Sequence, residues 1–164
     1  MSNQAVLDYF SDDISIIEGN KNELLVFMNN EDKLSFLELL KLNNQTNNRT
    51  LISLNFIENI NKFLTQFQNF DGKVFLCLNG DQTGNLATEK ILSEFQNKNI
   101  KDIRLLYGIS ENGTQNLSEY LKNKLNLQEK NATFVEAKNS ENGNNFIKSN
   151  RVPDTQHVGS EFSE

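Results

Sequence analysis

The stretch "KVFLCLNGDQTG", Lys73 to Gly84, constrains the fold more than any other part of the chain. From Val74 to Leu78 it is apolar at every position, and therefore on both faces of an extended chain, so helices have to cover it on either side. It then stops at Asn79-Gly80-Asp81 and at Gly84, where a helical pattern begins. This is how a central strand delivers polar groups to the carboxyl end of a parallel sheet, where strand-to-helix loops and helix N-termini converge and ligands gather.

The flanking sequence repeats the alternation. "ELLVFM" (Glu23 to Met28) reads as a strand, and the helix after it, "EDKLSFLELLK", carries Leu34, Leu37 and Leu40 at helical spacing. "TLISL" (Thr50 to Leu54) reads as a second strand. The next helix opens with Asn55 and Glu58 in capping-box spacing and has Phe56, Ile60, Phe63 and Phe67 as its stripe. Beyond Gly84, Ala87, Ile91 and Phe95 mark a helix face with Leu92 beside it. "DIRLLY" (Asp102 to Tyr107) reads as the fourth strand, and "QNLSEYLKNKL" as the last helix, with Leu117, Leu121 and Leu125 in line. The pattern predicts a three-layer α/β fold of about four parallel strands, with helices on both faces and right-handed crossovers.

Residues 23–137 form one domain in this reading, after a partly ordered N-terminal extension over 1–22. The stretch 138–164 has no sustained period and holds the only proline, Pro153; it reads as a disordered tail. A chain of 164 residues suits one such domain, and 37% hydrophobic with 23% charged residues fits a globular body with polar ends.

The formal net charge of -6 opposes general attraction to phosphate backbones and points to a protein partner or a second copy of the chain rather than to nucleic acid. Cys77, the only cysteine, sits in an apolar run and reads as a small buried hydrophobe, which suits a reducing cytoplasm. No stretch is apolar enough to cross a bilayer, and no membrane association is expected. His157, the only histidine, lies in the expected tail, which disfavours Ser-His or Cys-His catalysis.

"VFLCLNGDQTGNLATEKIL" resembles the acidic motif of the Toprim domain of bacterial primases, topoisomerases and related nucleases, where Asp-x-Asp ends a central strand and a Gly opens the next helix. "LLVFMNNEDKLSFLELL" resembles the segment carrying that family's Glu-Gly after the first strand and a later Leu-Ser, here Leu34 and Ser35. "LISLN" and the helix after it resemble the intervening strand and helix of the primase-like Toprim proteins of bacterial mobile elements, and "LLYGISENGTQNLSEYL" their final segment. The resemblance spans roughly residues 23–127 and rests on the order of the pieces.

It implies an acidic, magnesium-binding site, and the departures fall on that site. Met28 replaces the Glu and Asn29 the Gly after it; Asn79 replaces the first Asp of the pair, and Asp81 keeps the second. The late Asp-Leu-Asn reads Asn116, Leu117 and Ser118. Methionine neither transfers a proton nor binds a hard cation, and Asn offers only a neutral carbonyl. Asp81 alone would hold magnesium weakly, so no cofactor and no phosphoryl transfer are expected, and the domain reads as an inactive binding or accessory module linked to primase or mobile-element DNA replication.

Alternatives stand beside this reading. Asp81 caps the helix that follows, or it retains a weak cation. Glu31 and Asp32 complement a helix dipole, or they join Asp81 in a rearranged site of a metal-dependent nuclease or primase component. A small nucleotide or phosphate binder is a third class, without a glycine-rich fingerprint to support it. Deamidation at Asn79-Gly80 would restore one carboxylate.

Overall fold

A computed structural model describes residues 13–19 and 22–142. Most of the expected N-terminal extension, and the tail beyond residue 142 with Pro153 and His157, lie outside the described residues. The elements run β1 (Ser15–Ile17), β2 (Glu23–Phe27), α1 (Asn30–Leu42), β3 (Thr50–Ser53), α2 (Ile60–Gln66), β4 (Lys73–Cys77), α3 (Gln82–Glu94), β5 (Ile100–Asp102) and α4 (Leu117–Asn142). Short 3₁₀ turns, Ile57–Asn59 and Arg104–Tyr107, precede α2 and follow β5.

The five strands lie in the order β1-β3-β2-β4-β5. β2 is parallel to both β3 and β4, and β5 is parallel to β4; Val26 stands opposite Ile52 on one side and Leu76 on the other. All five residues of β2 are buried, as its central place requires. On one face Leu25, Phe27, Phe75 and Cys77 pack under Phe36, Leu39 and Leu40 of α1 and Leu117 of α4. On the other, Leu24, Val26, Val74 and Leu76 meet Ile60 and Phe63 of α2 and Ala87 and Ile91 of α3. The protein is therefore a three-layer α/β structure with helices on both faces. Each fully buried Leu, Ile or Phe contributes about 1.5–3 kcal/mol to holding the layers together.

The structure adds an antiparallel edge that the sequence pattern did not announce. β1 pairs with β3, Ser15 opposite Ser53 and Ile17 opposite Leu51. Polar side chains pin it: Ser15 and Ser53 hydroxyls both donate to Asn30 Oδ1, and Lys33 Nζ donates to Ser15 Oγ at 2.8 Å.

Several expected boundaries shift, each for a local reason. The expected strand Asp102 to Tyr107 shares only Asp102 with β5, because the Asp102 carboxylate accepts the Arg104 backbone N–H at 3.1 Å and turns the chain into the 3₁₀ turn Arg104–Tyr107. Leu105 is consequently 83% exposed where a strand would have buried it. Asn55 does not cap a helix: it sits at φ 70°, a left-handed position that Asn tolerates, and its side chain donates to the Asp13 carbonyl beside β1. α2 accordingly starts at Ile60, without a side-chain cap, and Phe56 stays half exposed. The last helix runs to Asn142, past the expected domain boundary at residue 137.

The connection β2-α1-β3 goes to one side of β2, and β3-α2-β4 returns to the other. The topological switch point thus falls between the carboxyl ends of β2 and β4, beside Asn29-Asn30 and Asn79-Gly80.

Candidate functional site

Helix N-termini surround this switch point, each closed by its own side chain. Asn29 Oδ1 accepts from the Asp32 N–H at 2.9 Å to cap α1, and Asp81 Oδ1 accepts from the Gly84 N–H at 2.8 Å to cap α3. Asn116 Oδ1 accepts from the Glu119 N–H at 2.9 Å and from the Ser118 hydroxyl at 2.8 Å, capping α4. Two further bonds tie these pieces together. Gly80 N–H donates to the Gln115 carbonyl at 2.7 Å, and Ser118 N–H donates to Asp32 Oδ1 at 3.0 Å. The end of β4, the first turn of α1 and the start of α4 are therefore held to the single stretch 115–118.

The candidate residues divide accordingly. Asn79, Asn116 and Ser118 gather here, whereas Met28 is buried among Leu54, Ile60 and Leu78 in the α2/α3 layer. Asp81 is exposed and engaged with the α3 backbone, and Glu31 is exposed. Asp32 departs from the simple dipole reading: it is only 1% exposed, and its carboxylate serves the start of α4. The helical spacing of Asp32 with Phe36, Leu39 and Leu40 puts it on the buried stripe of α1; the expected stripe of Leu34, Leu37 and Leu40 shares only Leu40 with it, Leu34 and Leu37 being partly exposed. Among the described residues, no three His, Cys, Asp or Glu side chains form a group that could hold a metal ion.

No family model, curated protein or solved structure matches this chain.

The electrostatics at the switch point centre on Asp32. Burial pushes its carboxyl from 3.8 up to about 6, against the Ser118 N–H, which favours the charged form, and with help from the Glu31 charge. Its Oδ2 is buried without a hydrogen-bond partner, and so is Asn79 Oδ1. Burial pushes the Cys77 thiol up as well, with the Asp32 and Asp102 carboxylates adding to the effect, so the thiol is an unreactive core group. The Gly80 nitrogen, which would have to attack the Asn79 amide in deamidation, is held by Gln115, and that opposes the reaction.

Arg104 was hidden by reading its segment as a strand. Its guanidinium grips both Asp102 oxygens, and its Nη1 donates to the Asn79 carbonyl at 2.9 Å and to Asn85 Oδ1 at 2.6 Å. Asn85 in turn donates to Glu111. Asn85, Asp102, Arg104 and Glu111 line an open cleft of about 420 Å³ with Leu105 and Ile109 at its apolar side. The arginine's donors go to protein oxygens, so its part here is to join β5, the end of β4 and the first turns of α3.

Proposed function

We propose that this chain is a binding or accessory module on a Toprim-like sheet, without phosphoryl-transfer activity, linked by descent to primase or mobile-element DNA replication. One observation carries the reading: of the positions that would deliver acid from β2 and β4, Met28 is committed to the α2/α3 core and Asp81 to the Gly84 N–H, and Asn79 is an amide. Asn29 and Asn116 likewise serve as helix caps. A crevice with one inward carboxylate lacks the paired charge with which metal ions stabilise an attacking and a leaving oxygen.

A protein partner or a second copy of the chain suits the surface better than nucleic acid does. The chain carries a formal charge of -6, and Leu86, Leu105 and Leu106 are exposed on the α3 and β5 side.

Cleavage and primer-synthesis assays on single- and double-stranded DNA, with magnesium and with manganese, test the proposal. We expect no turnover above that of the Asp81→Ala protein. Metal-dependent turnover lost in Asp81→Ala, Glu31→Gln or Asp32→Asn would instead establish a nuclease or primase with a rearranged acidic site.

A further inference from the structure

The open cleft beside β5 is built on a fixed frame. The stretch 108–115 closes on itself: Ser110 N–H donates to the Thr114 carbonyl at 3.1 Å and Gly113 N–H to the Ser110 carbonyl at 3.2 Å, while the Gln115 side-chain amide donates to the Glu111 and Gly113 carbonyls. Gly80 lets this loop lie against the segment that follows β4, since a methyl group there would stand 2.7 Å from the Ser110 carbonyl oxygen. The opposite wall, Asp102, Arg104 and Asn85, is joined by side-chain hydrogen bonds. The cleft of about 420 Å³ is therefore formed before any ligand arrives.

Its charge is unbalanced. Asp102 is matched by Arg104, which takes both of its oxygens. Glu111 Oε1 accepts from the Asn85 amide at 3.0 Å, and none of the ion pairs among the described residues includes Glu111. The apolar wall joins buried Ile109 to Leu105, which is 83% exposed. Apolar surface continues outside: Leu86 follows Asn85 in the chain, Leu106 follows Leu105, and both are exposed.

From this geometry we infer that the cleft between β5 and the 108–115 loop docks a lysine side chain of a partner protein, its ammonium at Glu111 and its stem on Leu105 and Ile109. A net negative cleft with one apolar wall fits a cation carried on a hydrocarbon stem. The ammonium is preferred to a guanidinium on the state of the carboxylates. An arginine fork is best met by a carboxylate with both oxygens open, but Arg104 holds both oxygens of Asp102 and Asn85 holds one of Glu111. A compact point charge needs only the other Glu111 oxygen. A peptide is preferred to a free amine because apolar residues flanking the lysine would cover Leu86 and Leu106, which a small amine leaves in water. The inference rests on the reading of the chain as a module for a protein partner, and it names the contact.

The probe is a pentapeptide with lysine at its centre, leucine on either side and serine at each end. It is titrated into the isotope-labelled full chain, with binding read from amide NMR shifts. We expect saturable shifts centred on Asn85, Leu105 and Glu111, with a dissociation constant on the order of a millimolar, as one solvent-facing ion pair and a few apolar contacts allow. Acetylating the lysine should weaken binding about threefold to fivefold, and Glu111→Gln should do the same. The two losses should not add, because they remove one interaction. Leu105→Ser, at an exposed position, should weaken both peptides alike. Four results would overturn the inference: no saturation at several times the expected constant, equal binding of the acetylated peptide, tighter binding of the arginine peptide, or butylamine binding as tightly as the peptide. Shifts mapped to another surface would also overturn it, yet leave the binding-module reading standing. Turnover in the cleavage and primer-synthesis assays would overturn that reading and leave this titration as it is.

Discussion

Asp32 shows how a single buried position can cost stability while joining two helices. Its folded-state carboxyl lies near 6, above the ordinary 3.8, so the proton is held more tightly in the folded chain than in the unfolded one. Stability from this group is therefore complete below pH 3.8 and is lost as pH rises through about 6, a loss of ~3 kcal/mol when fully ionised. Asp32→Asn keeps the acceptor for Ser118 and removes the ionisation. Urea unfolding between pH 3.5 and 7.5 should show the variant more stable at the upper end by about 1–3 kcal/mol, with the difference shrinking toward acid. Curves that stay parallel across the range would mean that the carboxyl carries no such load. The residue's role could not be read from its local sequence, since Glu31 and Asp32 look alike in "NNED" and only the partner from α4, 86 positions away, separates them. Asp81 is the reverse case, because a carboxylate ahead of "QTG" admits a helix cap from local chemistry alone, and the cap is what forms.

At the level of elements, legibility followed burial. β2 and β4, apolar on both faces, stood out within a residue of their ends, as did α1; the stripe of α3 was legible too, though the helix starts at Gln82, ahead of Gly84. The short edge elements did not. β1 has three residues and is held by side-chain bonds from α1 and β3 that no local period reveals, and β5 is cut short by the Asp102–Arg104 turn. The turn between β4 and α3 was legible as a feature but not as a constraint. A methyl group added at Gly84 would lie 2.0 Å from the Asn79 carbonyl oxygen, so the helix can fold back over the strand end only because that position has no side chain. Gly84→Ala gains up to about 1 kcal/mol in helix propensity, yet it must displace a backbone carbonyl that also receives Arg104. A net destabilisation of about 2 kcal/mol or more is expected in urea unfolding. A neutral or stabilising result would show that the β4-α3 turn relaxes freely.

Across the whole molecule, charge decides what the carboxyl end of the sheet can receive. Converging helix N-termini ordinarily invite anions, because their N–H groups and dipoles point at the same space. Here Asn29, Asp81 and Asn116 occupy N–H groups at those termini, and Asp32 adds a buried carboxylate among them. The basic residues nearby are spent internally: Arg104 on Asp102, Asn79 and Asn85, and Lys33 in the cluster that pins β1. On the opposite end of the sheet Arg49 is buried against Glu23 at 3.0 Å. With a net charge of -6 spread over the rest, releasing counterions from a phosphate backbone has little to drive it. Fluorescence anisotropy with labelled single-stranded and duplex DNA at low ionic strength should therefore show no saturable binding at micromolar protein. A steeply salt-dependent isotherm would require several lysines or arginines at the contact, because the slope counts the phosphates neutralised. It would locate a basic surface outside the crevice, since the arginine within it holds β5 to α3 through its Nε and Nη1.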